Sequence, residues 1–132
     1  MWPGNIWALV IVPALSVYLC ARNKCRPLKA VFATFVFVFV LKFLVGRGRP
    51  GMGARPGLGW TDGYQSFPSL HAAVAVAFAA AVHVSPRVRA FLYAMAIVTA
   101  ASRVYYGKHW GTDVLGGSIL GYIIGRNISI LD

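Results

Sequence analysis

Residues 28–46 read LKAVFATFVFVFVLKFLVG, a run in which only Lys29 and Lys42 carry charge. A membrane-crossing helix needs about 20 such residues at ~1.5 Å of rise each. Four further apolar segments accompany it, roughly 6–21, 69–84, 88–106 and 111–124. Several are shorter than a straight span, a deficit that local bilayer thinning or interfacial flanks make up. Strand-like alternation is absent, and the 69–84 segment is rich in alanine, so helices are expected. Backbone groups inside lipid must be satisfied within the chain, which favours a helical bundle. The expectation is an all-α integral membrane bundle of about five transmembrane helices, with residues 1–132 forming one domain.

Composition points the same way. Hydrophobic residues make up 58% of the chain and charged residues 12%. A soluble domain of this size cannot hide so much apolar surface. The net charge of +10 is not arranged as a stripe; the basic residues fall in short clusters between apolar runs. That distribution fits membrane-flanking loops and not nucleic-acid binding. The apolar N-terminus has no basic leader and no small-residue cleavage site before Cys20, so it reads as a retained helix. Cys20 and Cys25 read as small buried or interfacial thiols rather than a disulfide or a metal pair.

The loops set an orientation. Arg22, Lys24, Arg26, Lys29, Arg87, Arg89 and Arg126 fall on one side, which the positive-inside rule makes cytoplasmic. Lys42, Arg47, Arg49, Arg55, Arg103 and Lys108 fall on the other. The N-terminus is therefore expected outside and the C-terminus inside. Trp2, Trp7, Trp60 and Trp110 lie towards the outer side as interfacial anchors. The long Gly- and Pro-rich loop 47–68 is also on that side. Gly117, Gly121 and Gly125 line one face of the last helix and read as a packing surface.

Three clusters converge on the outer face: Lys42 with Arg49-Pro50, then Pro68-Ser69-Leu70-His71, then the stretch from Ser102-Arg103 to His109 and Asp113. Separately, Lys42 could snorkel, Ser69 could cap a helix and Arg103 could anchor. Together they place two histidines, an aspartate and three cations at membrane depth, where ionisable groups are functional candidates. Three cations beside a helix N-terminus make an anion site suited to phosphate or diphosphate. His109 and Asp113 are four residues apart and would share a helical face. A carboxylate on one imidazole nitrogen leaves the other free to attack. His71 is a second imidazole, available as general acid. Metal-dependent hydrolysis needs several carboxylates, and the chain has only Asp62, Asp113 and Asp132. His83, twelve residues after His71 and ~18 Å along a helix, reads as structural. Arg55 lacks the spacing from Lys42 that Arg49 has.

These three motifs, Lys42-x6-Arg49-Pro50, Pro68-Ser69-Leu70-His71 and Ser102-Arg103-x5-His109-x3-Asp113, resemble those of the type-2 phosphatidate phosphatase superfamily, which shares its site with vanadium haloperoxidases. The resemblance implies a membrane-embedded, cofactor-free lipid phosphatase at the extracytoplasmic side of the cell membrane. Its substrates would be polyprenyl diphosphates, phosphatidate or phosphatidylglycerophosphate. It implies that His109 is the nucleophile, that Asp113 orients it and that His71 protonates the leaving group. Lys42, Arg49 and Arg103 would clamp the phosphoryl oxygens, with Ser69 and the Leu70 amide. Leu70 stands where the family usually has glycine, and the Pro-Ser-Leu-His variant resembles that of inositol-phosphorylceramide synthases. A phosphotransferase with an alcohol acceptor is therefore the alternative. Many members resemble six-helix bundles, so five helices here imply reduced accessory contacts or contacts from another subunit of a homo-oligomer.

Overall fold

The computed structural model describes residues 6–20, 25–45, 67–107 and 109–131. Arg49 and nearly all of the loop 47–68 lie outside these residues, as do Trp2, Trp60 and Lys108. The described residues form five helices and no strand. We name them α1 (Trp7–Tyr18), α2 (Arg26–Val45), α3 (Leu70–Ala81), α4 (Pro86–Tyr105) and α5 (Gly111–Leu131). The start of α1, Trp7–Ile11, winds as a π-helix. Pro13, which has no N–H to give, stands two residues after these wide turns.

Helix α3 is the axis of the bundle. Its residues from Ala72 to Ala81 are all buried. Alanine dominates the sequence there, so the helix is narrow and favoured by propensity. Ser69 caps its N-terminus, the hydroxyl accepting the Ala72 amide at 3.4 Å. At its other end the Arg89 guanidinium donates to the carbonyls of Ala80 (3.1 Å) and Val82 (2.9 Å). These are the carbonyls a helix end leaves without intrahelical donors. Ser85 caps α4 through the Val88 amide, with Pro86 opening the helix.

Helix directions follow from these ties. The start of α4 sits at the end of α3, so the two are antiparallel. Val31, early in α2, shares a buried cluster with Phe78, Val82 and Leu92, so α2 is also antiparallel to α3. Helix α5 runs parallel to α3, with Gly117, Gly121 and Gly125 over Ser69, Ala73 and Ala77. A Cβ on Gly117 would meet the Ser69 carbonyl oxygen at 2.5 Å, and one on Gly125 the Ala77 oxygen at 2.6 Å. One on Gly121 would overlap the Ala73 carbonyl outright. The packing face expected for these glycines is present, and its partner is α3.

The surface of this bundle is apolar. Phe32, Phe37, Phe91, Ile97, Leu115 and Ile119 are all exposed. Buried Ser16 and Thr34 satisfy their hydroxyls on carbonyls four residues back, at 2.7 Å each. Helix α2 spans 20 residues with a mean hydropathy of 2.3, long and apolar enough to cross a membrane. By that test it is alone among the described helices; α1 and α3 are apolar but shorter.

Three expectations change. Helix α5 runs on to Leu131 rather than stopping near 124, because Gly125 rests on α3 and nothing interrupts the helix. Cys20 and Cys25 are joined in a disulfide, not separate thiols. The Cys25 amide donates to the Cys20 carbonyl at 2.7 Å, and Cys25 takes a left-handed φ of 58°. Trp7 packs against the buried clusters instead of standing out as an anchor.

Gly121→Ala should lower the thermal midpoint in detergent by the equivalent of about 1–3 kcal/mol of overpacking, although alanine is the better helix former. Gly111→Ala, with open space around the new methyl, is the control and should not. An unchanged midpoint for Gly121→Ala would contradict the close contact.

Candidate active site

The parallel run of α3 and α5 brings their N-termini to one end of the bundle. The antiparallel helices bring the C-terminal ends of α2 and α4 to the same end. Lys42 is in the last turn of α2, 5% exposed, and Arg103 is in the last turn of α4. Ser69, Leu70 and His71 begin α3. His109 and Asp113 flank the start of α5. At the far end lie Arg26, Lys29, Arg87, Arg89 and the late-α5 residue Arg126. His83, exposed just past α3, is at that far end too, as its structural reading expects.

The turn that carries His109 is built by local chemistry. Helix α4 closes with the Tyr106 amide on the Ser102 carbonyl (2.9 Å) and the Gly107 amide on the Val104 carbonyl (3.0 Å). Gly107 has a φ of +68°, the left-handed position that suits glycine after a helix end. The His109 amide then donates back to the Arg103 carbonyl at 3.2 Å. Trp110 is the cap of α5, since its carbonyl accepts the Val114 amide at 3.4 Å.

Asp113 is 0% exposed and His109 2%. The Asp113 Oδ2 accepts the Trp110 amide at 2.8 Å and lies 3.6 Å from His109 Nδ1. The first contact is one half of a capping box, a third-position carboxylate reaching back to the cap amide. The second is an ion-pair distance, longer than a formed hydrogen bond. The N-terminus of α5 favours the negative charge there. The residues expected to pair do so, but not by sharing a helical face. His109 precedes the helix, and the capping turn folds it back over Asp113.

A further tie joins the two segments. The Ser69 amide donates to the Asp113 carbonyl at 3.1 Å. Sequence reasoning missed it, along with the Trp110 amide. A signal for the first was present: small residues at 69, 73 and 77 repeat at the same interval as the glycines at 117, 121 and 125. The second had none, because tryptophan is not a usual cap.

The arrangement can hold an anion. The N-terminus of α3, at Leu70 and His71, presents its partial positive charge at this end. Lys42 and Arg103 come to the same end on two different helices, α2 and α4. Asp113 faces the Nδ1 side of the His109 ring, at 3.6 Å. Asp113→Ala should lower the thermal midpoint by the equivalent of about 1 kcal/mol through the lost cap. Asp113→Asn, which keeps an acceptor for Trp110, should not. Equal losses in both would contradict the capping role.

The crystal structure of LpxE from Aquifex aeolicus superposes with a TM-score of 0.80 at 25% identity, over 98% of this chain and 81% of that one. A lipid A 1-phosphatase of Rhizobium etli is 34% identical over 118 residues, 76% of this chain and 51% of its own length. YbjG of Escherichia coli, whose name assigns it provisionally as an undecaprenyl-diphosphatase, is 45% identical over 60 residues, 44% of this chain and 30% of its own. The chain thus spans about half the length of the lipid A 1-phosphatase that it matches. The sequence profile of the PAP2 superfamily matches residues 23–131. With that match over most of its length and all three motifs in order, the chain belongs to the PAP2 superfamily, that of the type-2 phosphatidate phosphatases.

Proposed function

We propose that this protein is an integral membrane phosphatase of lipid phosphates or diphosphates, acting without a metal through a phosphohistidine at His109. The observation that carries the reading is the buried His109–Asp113 pair, 3.6 Å apart and tied by backbone to Arg103 and Ser69. A binding protein needs cations but has no use for an oriented imidazole. The similarity to proteins named as phosphatases of lipid A and of undecaprenyl diphosphate supports the substrate class.

The steps follow from the residues. Lys42 and Arg103, with Arg49 and the amides at the start of α3, hold the phosphoryl oxygens and stabilise the charge that develops on them. His109 Nε2 attacks phosphorus, and the bond to the leaving oxygen breaks. His71 gives that oxygen its proton. Water then attacks the phosphohistidine, His71 takes a proton back, and inorganic phosphate leaves. Asp113 stabilises the imidazolium formed in the first step. Phosphate monoesters need accelerations of up to ~10²¹-fold, so positioning, covalent catalysis and charge stabilisation act together.

The exposed apolar belt supports residence in a bilayer, and the cations at the end opposite the site support an orientation with that end cytoplasmic. The site would then face the extracytoplasmic side, with the substrate's phosphate at the surface and its tail in lipid. Polyprenyl diphosphates, phosphatidate, phosphatidylglycerophosphate and lipid A 1-phosphate all meet that description. The half-buried Leu70 beside His71 supports a second reading, in which an alcohol replaces water as acceptor.

His109→Ala should abolish phosphate release from a panel of these lipids in detergent, while EDTA should leave the wild type unaffected. Full activity in the histidine variant would sink the mechanism. For the second reading, product identity with and without an added alcohol decides. Fast phosphate release without the alcohol would exclude an obligatory transferase.

A further inference from the structure

We propose that Phe67 and Gly116 form a positioning pair for the reaction at His109. The missing side chain of Gly116 seats the Phe67 ring, and the seated ring keeps Ser69 and His71 in register with His109 and Asp113. A Cβ on Gly116 would lie 2.5 Å from Cε2 and 2.8 Å from Cζ of Phe67, so the ring edge rests on bare helix backbone. Phe67 is four residues before His71, and Gly116 is three after Asp113. The contact therefore joins the chain leading to the general acid with the helix carrying the orienting carboxylate.

It is the outermost of three ties between these segments. The inner two are backbone contacts: the Ser69 amide on the Asp113 carbonyl, and the Ser69 backbone against Gly117. Ser69, Asp113 and Gly117 are all buried, whereas Phe67 and Gly116 are only partly so. The inner ties hold the Ser69 backbone against α5. The ring fixes the direction from which the chain enters it, with Pro68 rigid in between. A contact at the rim adds little buried area. Its effect falls on alignment, where a displacement of about 1 Å costs roughly 10²-fold in rate.

The proposal rests on the phosphatase reading, and a double-mutant cycle tests it. Gly116→Ala, Phe67→Leu and the double variant are compared with wild type in detergent. The readouts are kcat and KM on one lipid phosphate, the thermal midpoint, and the affinity for inorganic phosphate by calorimetry. Gly116→Ala should keep or raise the midpoint, because alanine is the better helix former. Its kcat should fall about 10- to 100-fold, and its KM should rise no more than its dissociation constant for phosphate does. The double variant should recover at least the kcat of Phe67→Leu, since leucine vacates the space of the ring edge. Phosphate affinity should weaken in Gly116→Ala and return in the double variant.

A wild-type kcat in Gly116→Ala would overturn the proposal. So would a double variant as impaired as Gly116→Ala, or a fall in midpoint that accounts for the lost activity. Failure of the phosphatase reading appears separately, as a wild type that releases no phosphate or a His109→Ala variant that still does. The cycle read on inorganic phosphate then decides: non-additive affinities support the pair, and additive ones overturn it.

Discussion

Three glycines of α5 lie directly on the backbone of α3, and the rest of the molecule is arranged around that approach. Gly117, Gly121 and Gly125 advance by four residues, as do Ser69, Ala73 and Ala77 beneath them. In place of each Cβ is a hydrogen aimed at or near a carbonyl oxygen, a weak Cα–H···O contact of about 0.5–1 kcal/mol. Where lipid surrounds a bundle, water expulsion does not press helices together; close van der Waals contact does. A side chain at any of these positions would push α5 outward. The repeat alone would tolerate a slip by one step. The bond from the Ser69 amide to the Asp113 carbonyl at the top of the ladder selects the register.

That register decides the electrostatics of the site. Two parallel helices present their N-termini at one end, each carrying a partial positive charge. Two antiparallel helices present C-termini there, which favour cations in their last turns. Lys42 and Arg103 occupy those turns. Asp113 sits at the N-terminus of α5, the place in its helix that best tolerates a buried carboxylate. Each charge there is thus compatible with its own helix, and helix N-termini, cations and two imidazoles gather at one end of the bundle. The cations at the opposite end, in the first turns of α2 and α4, oppose their helix dipoles. Arg89 is used instead on the neighbouring helix, where it caps the last carbonyls of α3.

Much of this was legible in the residues. The apolar segments foretold five helices because hydropathy is a local property. The three motifs foretold the family, because their order and spacing match its pattern. Helix ends were less legible. The persistence of α5 to Leu131 depends on Gly125 finding Ala77, a contact between residues far apart in sequence. The joining of Cys20 to Cys25 goes with a left-handed φ at Cys25 that composition does not announce.

The amino-acid sequence by itself determined the class of fold, the residues capable of chemistry and the scarcity of acids that leaves Asp113 as the partner of His109. Helical periodicity alone would have put that pair on one face of one helix. Only the tertiary structure decided that His109 stands outside the helix, held by the Arg103 carbonyl and folded over a capping carboxylate. It alone placed Ser69 on Asp113 and the Phe67 ring on Gly116. The reason is physical: composition and spacing act along the chain, whereas the meeting of two backbones depends on what is absent from both.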